Sequence, residues 1–288
     1  MRLLQQPVIG YTLGDQAGIG PEVIAAALPR LSPHAEYRCM GKRIATAPGV
    51  PSEDTAKVAL EQLENAAAAL REGIIDAVVT APVCKEGLHR VGFHFPGQTE
   101  FFADRLGVSN FAMCLTGKRL TVALATTHVA LREIPQRLRS SELVRVSLLL
   151  SDFLRQTGKD SPRIALAGLN PHNGESGAFG DEESRIITPA VQELQTRLPG
   201  VFHGPCVPDC VYRDAAEGAY DAVVAPYHDQ ALIPLKLLDF DNAVNATIGL
   251  PRLRVSPDHG TAFGIAGRGL ANPSSTIRAF ELALKSVS

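Results

Sequence analysis

The sequence predicts an α/β protein built on a mainly parallel sheet. Its apolar runs are short and end at Gly, Pro, Asn or His, and they alternate with longer amphipathic stretches. This alternation is typical of strand-helix-strand units, in which helices cover a parallel sheet. At 288 residues the chain exceeds the size that one hydrophobic core usually serves, so we expect two domains or two lobes.

The predicted elements follow this alternation along the chain. Apolar runs predict strands at 8–13, 75–80, 120–126, 164–169, 222–225 and 243–248. Amphipathic stretches predict helices at 21–28, 56–71, 99–106, 141–156, 182–197 and 274–285. Candidate N-caps precede two of them, Ser140 or Ser141 before Glu142 and Asp181 before Glu182. Segment 32–53 has recurring Pro and Gly without periodicity, so we expect an irregular, shortened excursion from the sheet.

Composition excludes several classes of protein. A formal net charge of −2 with 20% charged residues gives no electrostatic reason to bind nucleic acid. Uninterrupted apolar stretches stay well below the roughly 18 residues of a membrane helix. The opening MRLLQQPVIGYTLGD lacks the apolar core and cleavage site of a signal peptide, so we expect a cytoplasmic protein. The five cysteines lack zinc-knuckle or redox spacing and are expected to be reduced, mostly structural thiols.

Three of the eight histidines directly follow predicted strands. They are His128 after LTVALATT, His172 after IALAGLNP and His228 after YDAVVAPY. Ligands of open α/β sheets bind beyond the carboxyl ends of the strands. One histidine at such a place is more often a structural residue, but three at equivalent places favour a metal site of the zinc type, which polarises an alcohol or carbonyl oxygen.

Other polar residues surround these strand ends. Asp229 and Asp209 can orient a histidine or face a substrate, and each can equally be a turn or cap residue. Lys236, Asn245 and Arg254 are polar residues in apolar surroundings and suit a carboxylate, a hydroxyl or a phosphate.

Two glycine-containing segments complete the candidate site. GDQAGIGPE follows a strand and begins a helix, where free backbone N–H groups attract anions. Such a turn is equally often structural, and in that case we expect Asp15 and Glu22 to be solvated. DHGTAFGIAGRGLANP, residues 258–273, has small side chains that allow close approach of a flat ligand.

Together these segments resemble the 4-hydroxythreonine-4-phosphate dehydrogenase family over most of the chain beyond residue 55. The matching pieces include TAPVCKEGLHRVGFHFPGQTEFFADRLG, TTHVALREIP, LNPHNGESGAFGDEE, GPCVPDCVY, YHDQALIPLKLL and VNATIGLPRLRVSPDHGTA. GIGPEV and HGTAFGIAGRGLANP are also similar to segments of isopropylmalate and isocitrate dehydrogenases. The resemblance implies a three-layer α/β/α subunit with two domains, of the fold those dehydrogenases share. We expect residues 1–95 with 240–288 to form the dinucleotide side, and 96–239 to hold the metal ligands and dimer contacts.

The resemblance implies an oxidoreductase acting in pyridoxine biosynthesis. It would oxidise the secondary alcohol of a phosphorylated four-carbon hydroxy acid with NAD or NADP, and the 3-oxo acid would then lose carbon dioxide. One zinc, magnesium or cobalt ion per active site and a homodimer with interfacial active sites are implied, with no nucleic-acid or membrane partner. The implied residues are His128, His172 and His228 for the metal; Thr99, Lys236, Asn245 and Arg254 for the substrate; His259, Gly260, Thr261, Ala262 and Asn272 for the dinucleotide; and Asp209, Asp229 or Lys85 as proton acceptor.

One substrate position departs from the family pattern. The family usually has GHTE where this chain has GQTE, so Gln98 stands in place of a histidine. Glutamine can donate a hydrogen bond but cannot titrate, which bears on recognition of the phosphate end. The segments CKEGLH, ALIPLKLL and GPCVPDCVY are more similar to the D-threonate or D-erythronate 4-phosphate dehydrogenase branch of the family. A dihydrodiol carboxylate dehydrogenase of aromatic degradation and a non-catalytic metabolite-binding protein are the alternatives.

Overall fold

The computed structural model describes residues 6–288, which divide into two compact units. Unit 1 comprises the chain up to Asn110 together with Val244–Ser288, and unit 2 is Phe111–Ala243. The predicted domains, with approximate bounds 1–95 with 240–288 and 96–239, stay a prediction, as do the roles assigned to them. Residues 1–5 lie outside the described part of the chain. They are the start of the first predicted domain and of the opening segment MRLLQQPVIGYTLGD.

Unit 1 contains five strands in the order β2-β1-β3-β10-β9. The pairs are parallel except for β9 with β10. Phe101, Phe102, Leu63 and Leu70 are fully or almost fully buried in its core. The strands are β1 Val8–Tyr11, β2 Glu36–Cys39, β3 Ala77–Val79, β9 Val244–Ile248 and β10 Arg254–Pro257, and the helices are α1 Gly20–Ala27, α2 Glu53–Glu72, α3 Lys85–Arg90, α4 Gln98–Arg105 and α10 Ser274–Lys285.

Unit 2 contains five strands in the order β4-β5-β8-β6-β7, antiparallel only between β4 and β5. Helices lie on both faces of the sheets, as an α/β/α fold requires. The strands are β4 Ala112–Thr116, β5 Thr121–Leu124, β6 Ile164–Ala167, β7 Phe202–Cys206 and β8 Ala222–Ala225, and the helices are α5 Ile134–Arg137, α6 Ser140–Gln156, α7 Thr188–Arg197, α8 Pro208–Ala216 and α9 His228–Asp239.

The start and end of α2 show how local chemistry sets an element. Ser52 accepts a hydrogen bond from the Thr55 backbone, and the Thr55 side chain accepts one from Ser52, which forms a capping box. Gly73 then ends the helix with a left-handed backbone (φ 73°). The helix predicted at 56–71 therefore begins slightly earlier than its amphipathic pattern indicates.

The mainly parallel sheet and all predicted strands and helices are confirmed, apart from differences at their ends. The predicted serine cap is wrong: α6 has Arg139 at its N-cap position, and Ser140 Oγ donates instead to the Ile186 carbonyl at 2.6 Å. Asp181 precedes the first helical residue, and its carbonyl accepts the Arg185 N–H at 2.9 Å, but the segment 183–187 has Glu182 at its N-cap position without a side-chain cap. Segment 32–53 is not irregular throughout, because β2 pairs in parallel with β1 along one edge. Its sequence, EYRC, is too polar to reveal a strand at a sheet edge.

Two further expectations concern the whole described chain. All five cysteines are free thiols, as predicted from their spacing. Between residues 6 and 288, no helix combines the length and the hydropathy that crossing a bilayer requires.

Candidate active site

His128 and His228 lie side by side in unit 2. Their strands, β5 and β8, pair in parallel, with Leu124 opposite Ala225. The pairing continues past the strand ends, where Thr126 Oγ1 donates to the Pro226 carbonyl at 2.7 Å. The two imidazole ring centroids are consequently 5.6 Å apart. The parallel register thus brings together two histidines that are 100 residues apart in the sequence.

Asp229 fixes the orientation of His228. The Nδ1 atom of His228 lies 2.7 Å from Asp229 Oδ1, and both residues begin helix α9. An ionised carboxylate accepts the Nδ1 proton and leaves Nε2 as the free ligand atom, which is the usual arrangement around metal-binding histidines. The structure thus places Asp229 in contact with the imidazole of His228, and its role toward a metal stays a prediction.

His172 lies on an unusual turn after β6. Five consecutive residues, His172 to Ser176, have positive φ angles between 42° and 76°. Such a left-handed run is costly for residues other than glycine and persists only where the surroundings hold it. Only Gly174 among the five is a glycine, so this turn is held from outside.

A buried carboxylate holds this turn. Glu183 is 5% exposed, and its Oε1 accepts hydrogen bonds from the backbone N–H groups of Leu169 at 2.8 Å and Asn170 at 2.7 Å. The Asn170 side chain donates to the other carboxylate oxygen at 3.0 Å. Glu183 thus fixes the backbone from which the His172 turn departs.

Replacing Glu183 by alanine is expected to loosen this turn. Two partly buried N–H groups would lose their acceptor, at a cost of up to about 1–3 kcal/mol for each group that water does not reach. Hydrogen exchange of peptides covering 169–180 should accelerate, and the free energy of unfolding should fall. Glu175→Ala, at an exposed position of the same turn, is the control. Equal exchange in the two variants would show that Glu183 does not hold the turn.

The fit of the histidines to a metal is partial within one chain. His128 and His228, with the orienting Asp229, suit two positions of a zinc-type site. Among residues 6–288, however, no group of three His, Cys, Asp or Glu side chains is placed to hold a metal ion. His172 is therefore not grouped with the other two histidines within a single chain.

Arg254 is the center of a second cluster, in unit 1. Its side chain is 3% exposed. Nε and Nη2 donate to Thr80 Oγ1 at 3.0 and 2.7 Å, and Nη2 also donates to Gln98 Oε1 at 2.9 Å. Burial lowers the pKa of Arg254, and the charge of Glu100 opposes that shift. We call Thr80, Gln98 and Arg254 the arginine cluster.

Other predicted substrate residues lie in or near this part of unit 1. Thr99 Oγ1 is 3.2 Å from Thr247 Oγ1, and Thr247 lies opposite Arg254 in the β9–β10 register. Within residues 6–288, the Asn245 side-chain oxygen is buried without a hydrogen-bond partner. Buried polar atoms are rarely left unpaired, so Asn245 suits a ligand that donates a hydrogen bond. Lys236 lies on the exposed surface of α9, in unit 2.

The predicted dinucleotide loop packs against the glycine-rich segment of unit 1. The Thr261 carbonyl accepts the Ile19 N–H at 2.9 Å, and a Cβ at Gly18 would lie only 2.6 Å from that carbonyl oxygen. Glycine at position 18 therefore allows the backbone to approach the Thr261 carbonyl, where any side chain would clash. His259 Nε2 is buried and has no hydrogen-bond partner in the described part of the chain, and Ala262 has a positive φ of 44°. Gly260 and Asn272 are exposed.

Asp15 corrects one expectation from the sequence. It is 1% exposed rather than solvated, and its Oδ1 accepts the Ala17 N–H at 3.1 Å. Its carboxylate therefore stabilises the turn before α1. Gln16 extends this role: its side chain donates to the Lys42 carbonyl at 2.7 Å and accepts from the Ile44 N–H at 3.0 Å.

The three predicted proton acceptors occupy different settings. Asp209 and Asp229 line one pocket of about 450 Å³ between α8 and α9. Lys85 is the exposed first residue of α3 in unit 1. Asp229 is hydrogen-bonded to His228, whereas Asp209 does not contact that histidine through a hydrogen bond in the described residues.

Sequence reasoning missed Thr80, Thr247 and Glu183. Thr80 and Thr247 each lie at or near the end of an apolar run, where a threonine reads as an ordinary strand residue. Glu183 lies in a charged stretch, DEES, that is typical of an exposed helix start. The signal that could have found them is the family resemblance, because all three lie within the segments that carry it.

Comparison of the sequence and fold with known proteins identifies the family of this chain. A family model described as "Pyridoxal phosphate biosynthetic protein PdxA" matches residues 22–283. The chain is 39% identical to 4-hydroxythreonine-4-phosphate dehydrogenase of Desulfosudis oleivorans, over 97% of this chain and 96% of that protein. It is 37% identical to D-threonate 4-phosphate dehydrogenase of Pectobacterium atrosepticum, over 96% and 98%. The crystal structure of 4-hydroxythreonine-4-phosphate dehydrogenase from Klebsiella pneumoniae matches with a TM-score of 0.84 and 37% identity, over 99% of both chains.

More distant structures bear on the fold. Terephthalate 1,2-cis-dihydrodiol dehydrogenase from Burkholderia xenovorans matches with a TM-score of 0.71 and 27% identity, over 98% of both chains. Isocitrate dehydrogenase from Methylococcus capsulatus matches at 0.56 and 14% identity, over 98% of this chain and 86% of that one, which shows the fold alone. The predicted three-layer fold is confirmed.

Fold and relatives together define the class: a dehydrogenase that acts on a CH–OH group. The chain belongs to the PdxA family, as the motifs predicted.

Proposed function

We propose that the protein oxidises the secondary alcohol of a phosphorylated four-carbon hydroxy acid, with NAD or NADP as hydride acceptor. The observation that carries this proposal is the arginine cluster, a buried cation held by neutral oxygens only. A guanidinium in such a place is suited to a carboxylate or phosphate. The names of the relatives support a substrate of the 4-hydroxythreonine 4-phosphate or D-threonate 4-phosphate kind.

The histidines supply the metal site in this proposal. His128 and His228 would hold a divalent ion such as zinc, magnesium or cobalt, with Asp229 keeping His228 in the ligating orientation. When bound, the ion supplies a Lewis acid that lowers the pKa of the substrate hydroxyl. Because His172 is not grouped with this pair in one chain, we propose that a homodimer supplies the third imidazole from a second copy.

The remaining predicted residues position the reactants. Arg254, Thr99, Asn245 and Lys236 would bind the substrate, which converts binding energy into alignment for hydride transfer. The loop from His259 to Ala262, with Asn272, would hold the dinucleotide. Asp209, Asp229 or Lys85 would accept the proton of the alcohol. The 3-oxo acid product would then lose carbon dioxide, because its carboxylate lies β to the new carbonyl.

A panel of substrates tests the proposal. NADH and NADPH formation should be followed with 4-hydroxythreonine 4-phosphate, D-threonate 4-phosphate, D-erythronate 4-phosphate and a cis-dihydrodiol carboxylate. We expect turnover with at least one phosphorylated acid, lost on treatment with a chelator and restored by added metal. Turnover of the dihydrodiol alone would favour the second candidate, which the Burkholderia likeness supports. Binding of an anion without any turnover would instead indicate a metabolite-binding protein.

A further inference from the structure

Gln98 contacts Arg254 directly, which gives this departure from the family pattern a physical role. Its Oε1 accepts from Arg254 Nη2 at 2.9 Å. A guanidinium can only donate hydrogen bonds, so the amide oxygen must face it and the amide nitrogen must turn away. In the described part of unit 1, the Nε2 of Gln98 has no protein acceptor. Its two N–H groups are left for a ligand.

Thr80 fixes the other edge of the same guanidinium. Its hydroxyl oxygen receives both Nε and Nη2, and Thr80 itself is fully buried. The ring of Phe102 lies 5.9 Å from the guanidinium carbon and restricts a further direction. The buried arginine therefore has one orientation, set by side chains that carry no charge.

Arg254 forms no ion pair within the described residues. No carboxylate of residues 6–288 lies within ion-pair distance of its guanidinium, although the charge of Glu100 acts on it from farther away, and its Nη1 has no acceptor there. Burial of an unpaired ion is costly, and a ligand of opposite charge offsets that cost. The cluster thus presents Nη1 of Arg254 and Nε2 of Gln98 as donors, together with one buried positive charge that forms no ion pair within residues 6–288.

We propose that Thr80 and Gln98 are positioning residues that orient Arg254 for an oxyanion of the substrate, and that Gln98 adds an uncharged donor to the same oxyanion. The identity of that substrate rests on the proposed function, but binding of the oxyanion does not require turnover. A neutral glutamine leaves the positive charge of Arg254 available, whereas a carboxylate at position 98 would cancel it. Glutamine cannot titrate, whereas a histidine can, so the charge of this donor does not change with pH.

Four variants test the assignment by isothermal titration. Thr80→Val removes the acceptor at nearly constant shape, Thr80→Ser keeps it, and Gln98→Glu places a carboxylate against Arg254. Gln192→Glu, which adds the same charge at an exposed position of α7, is the control. Inorganic phosphate, unphosphorylated D-threonate and D-threonate 4-phosphate are the probes, so that phosphate and carboxylate recognition are distinguished.

The expected pattern separates positioning from a structural role. Thr80→Val should weaken binding of the recognised probe about 10-fold or more, and Thr80→Ser should bind within about 3-fold of the parent. Gln98→Glu should weaken binding about 100-fold while raising Tm, because it pairs a buried cation. A loss of packing alone would lower both binding and Tm.

Several results would overturn the inference. Unchanged binding in Thr80→Val, or equal binding in Gln98→Glu and Gln192→Glu, would show that these residues do not orient the anion site. A parent protein that oxidises a substrate yet binds none of the three probes would also overturn it, while leaving the dehydrogenase assignment intact. Conversely, the expected binding pattern in a protein without turnover would support the inference and remove the proposed function.

Discussion

Replacement of His172 by alanine or asparagine is expected to lower kcat by about 1,000-fold or more with little loss of stability. The third imidazole would complete the metal site, whose Lewis acidity is worth several kcal/mol of barrier. The side chain is exposed, and its one described ring contact, with Phe179, spans 6.5 Å between centroids. Asparagine also tolerates the positive φ of this position, so it removes the imidazole without straining the turn.

Metal affinity provides a readout that does not depend on turnover. Titration with Co²⁺, followed by its visible absorption, should show weaker binding in both His172 variants than in the parent. His94→Ala, an exposed histidine of unit 1, is the control and should titrate as the parent does. Near-parental turnover and unchanged Co²⁺ binding in both variants would refute the assignment of His172 to the metal.

Mixing two inactive variants tests the shared site. If His172 completes the site of a second copy, a dimer of one His172→Ala chain and one His228→Ala chain contains one intact set of three imidazoles. Random re-association of equal amounts should then restore about a quarter of the parental activity. If each chain used its own three histidines, the mixture would stay inactive.

Replacement of Arg254 by methionine is expected to raise the KM for a phosphorylated substrate about 100-fold or more. The variant loses a charged, multidentate contact that the arginine cluster places in a buried position. The free energy of unfolding should change by less than about 1 kcal/mol, since the lost hydrogen bonds are offset by removal of a buried unpaired charge. Steady-state kinetics and urea unfolding measure the two effects.

Arg252 offers a matched control two residues away. It donates to the Leu70 carbonyl at 2.9 Å and has no place in the predicted site. Arg252→Met should leave KM unchanged, whereas Arg254→Lys should restore only part of the affinity because an ammonium cannot reproduce the planar fork. Equal KM values for Arg252→Met and Arg254→Met would contradict the role of Arg254 in binding.

Local patterns in the sequence predicted the elements well, because period and caps are properties of neighbouring residues. Helix α10 was predicted with both ends correct from its amphipathic stretch alone. Strand-end logic also placed His128 and His228 at one edge, since β5 and β8 are parallel neighbours. The same reasoning does not predict where His172 lies. It identifies the end of the strand after which a residue comes, but not the path of the turn that follows.

The arginine cluster could not be predicted from spacing. Arg254 bonds to Thr80 and Gln98, which precede it by 174 and 156 residues. Such a contact depends on the strand order and on the register of β10 against β3. Neither can be predicted from the sequence of a single segment. The family resemblance identified Gln98 as unusual, but only the structure shows that its partner is an arginine.

The buried charge of Arg254 has a consequence for the lifetime of the protein. An anion that binds there would stabilise the folded chain, by an amount that grows with the logarithm of the anion concentration. Proteases degrade the unfolded population, so they would remove the unliganded protein faster than the liganded one. If the arginine cluster binds the substrate as proposed, we expect proteolysis of this protein to slow as the substrate concentration rises.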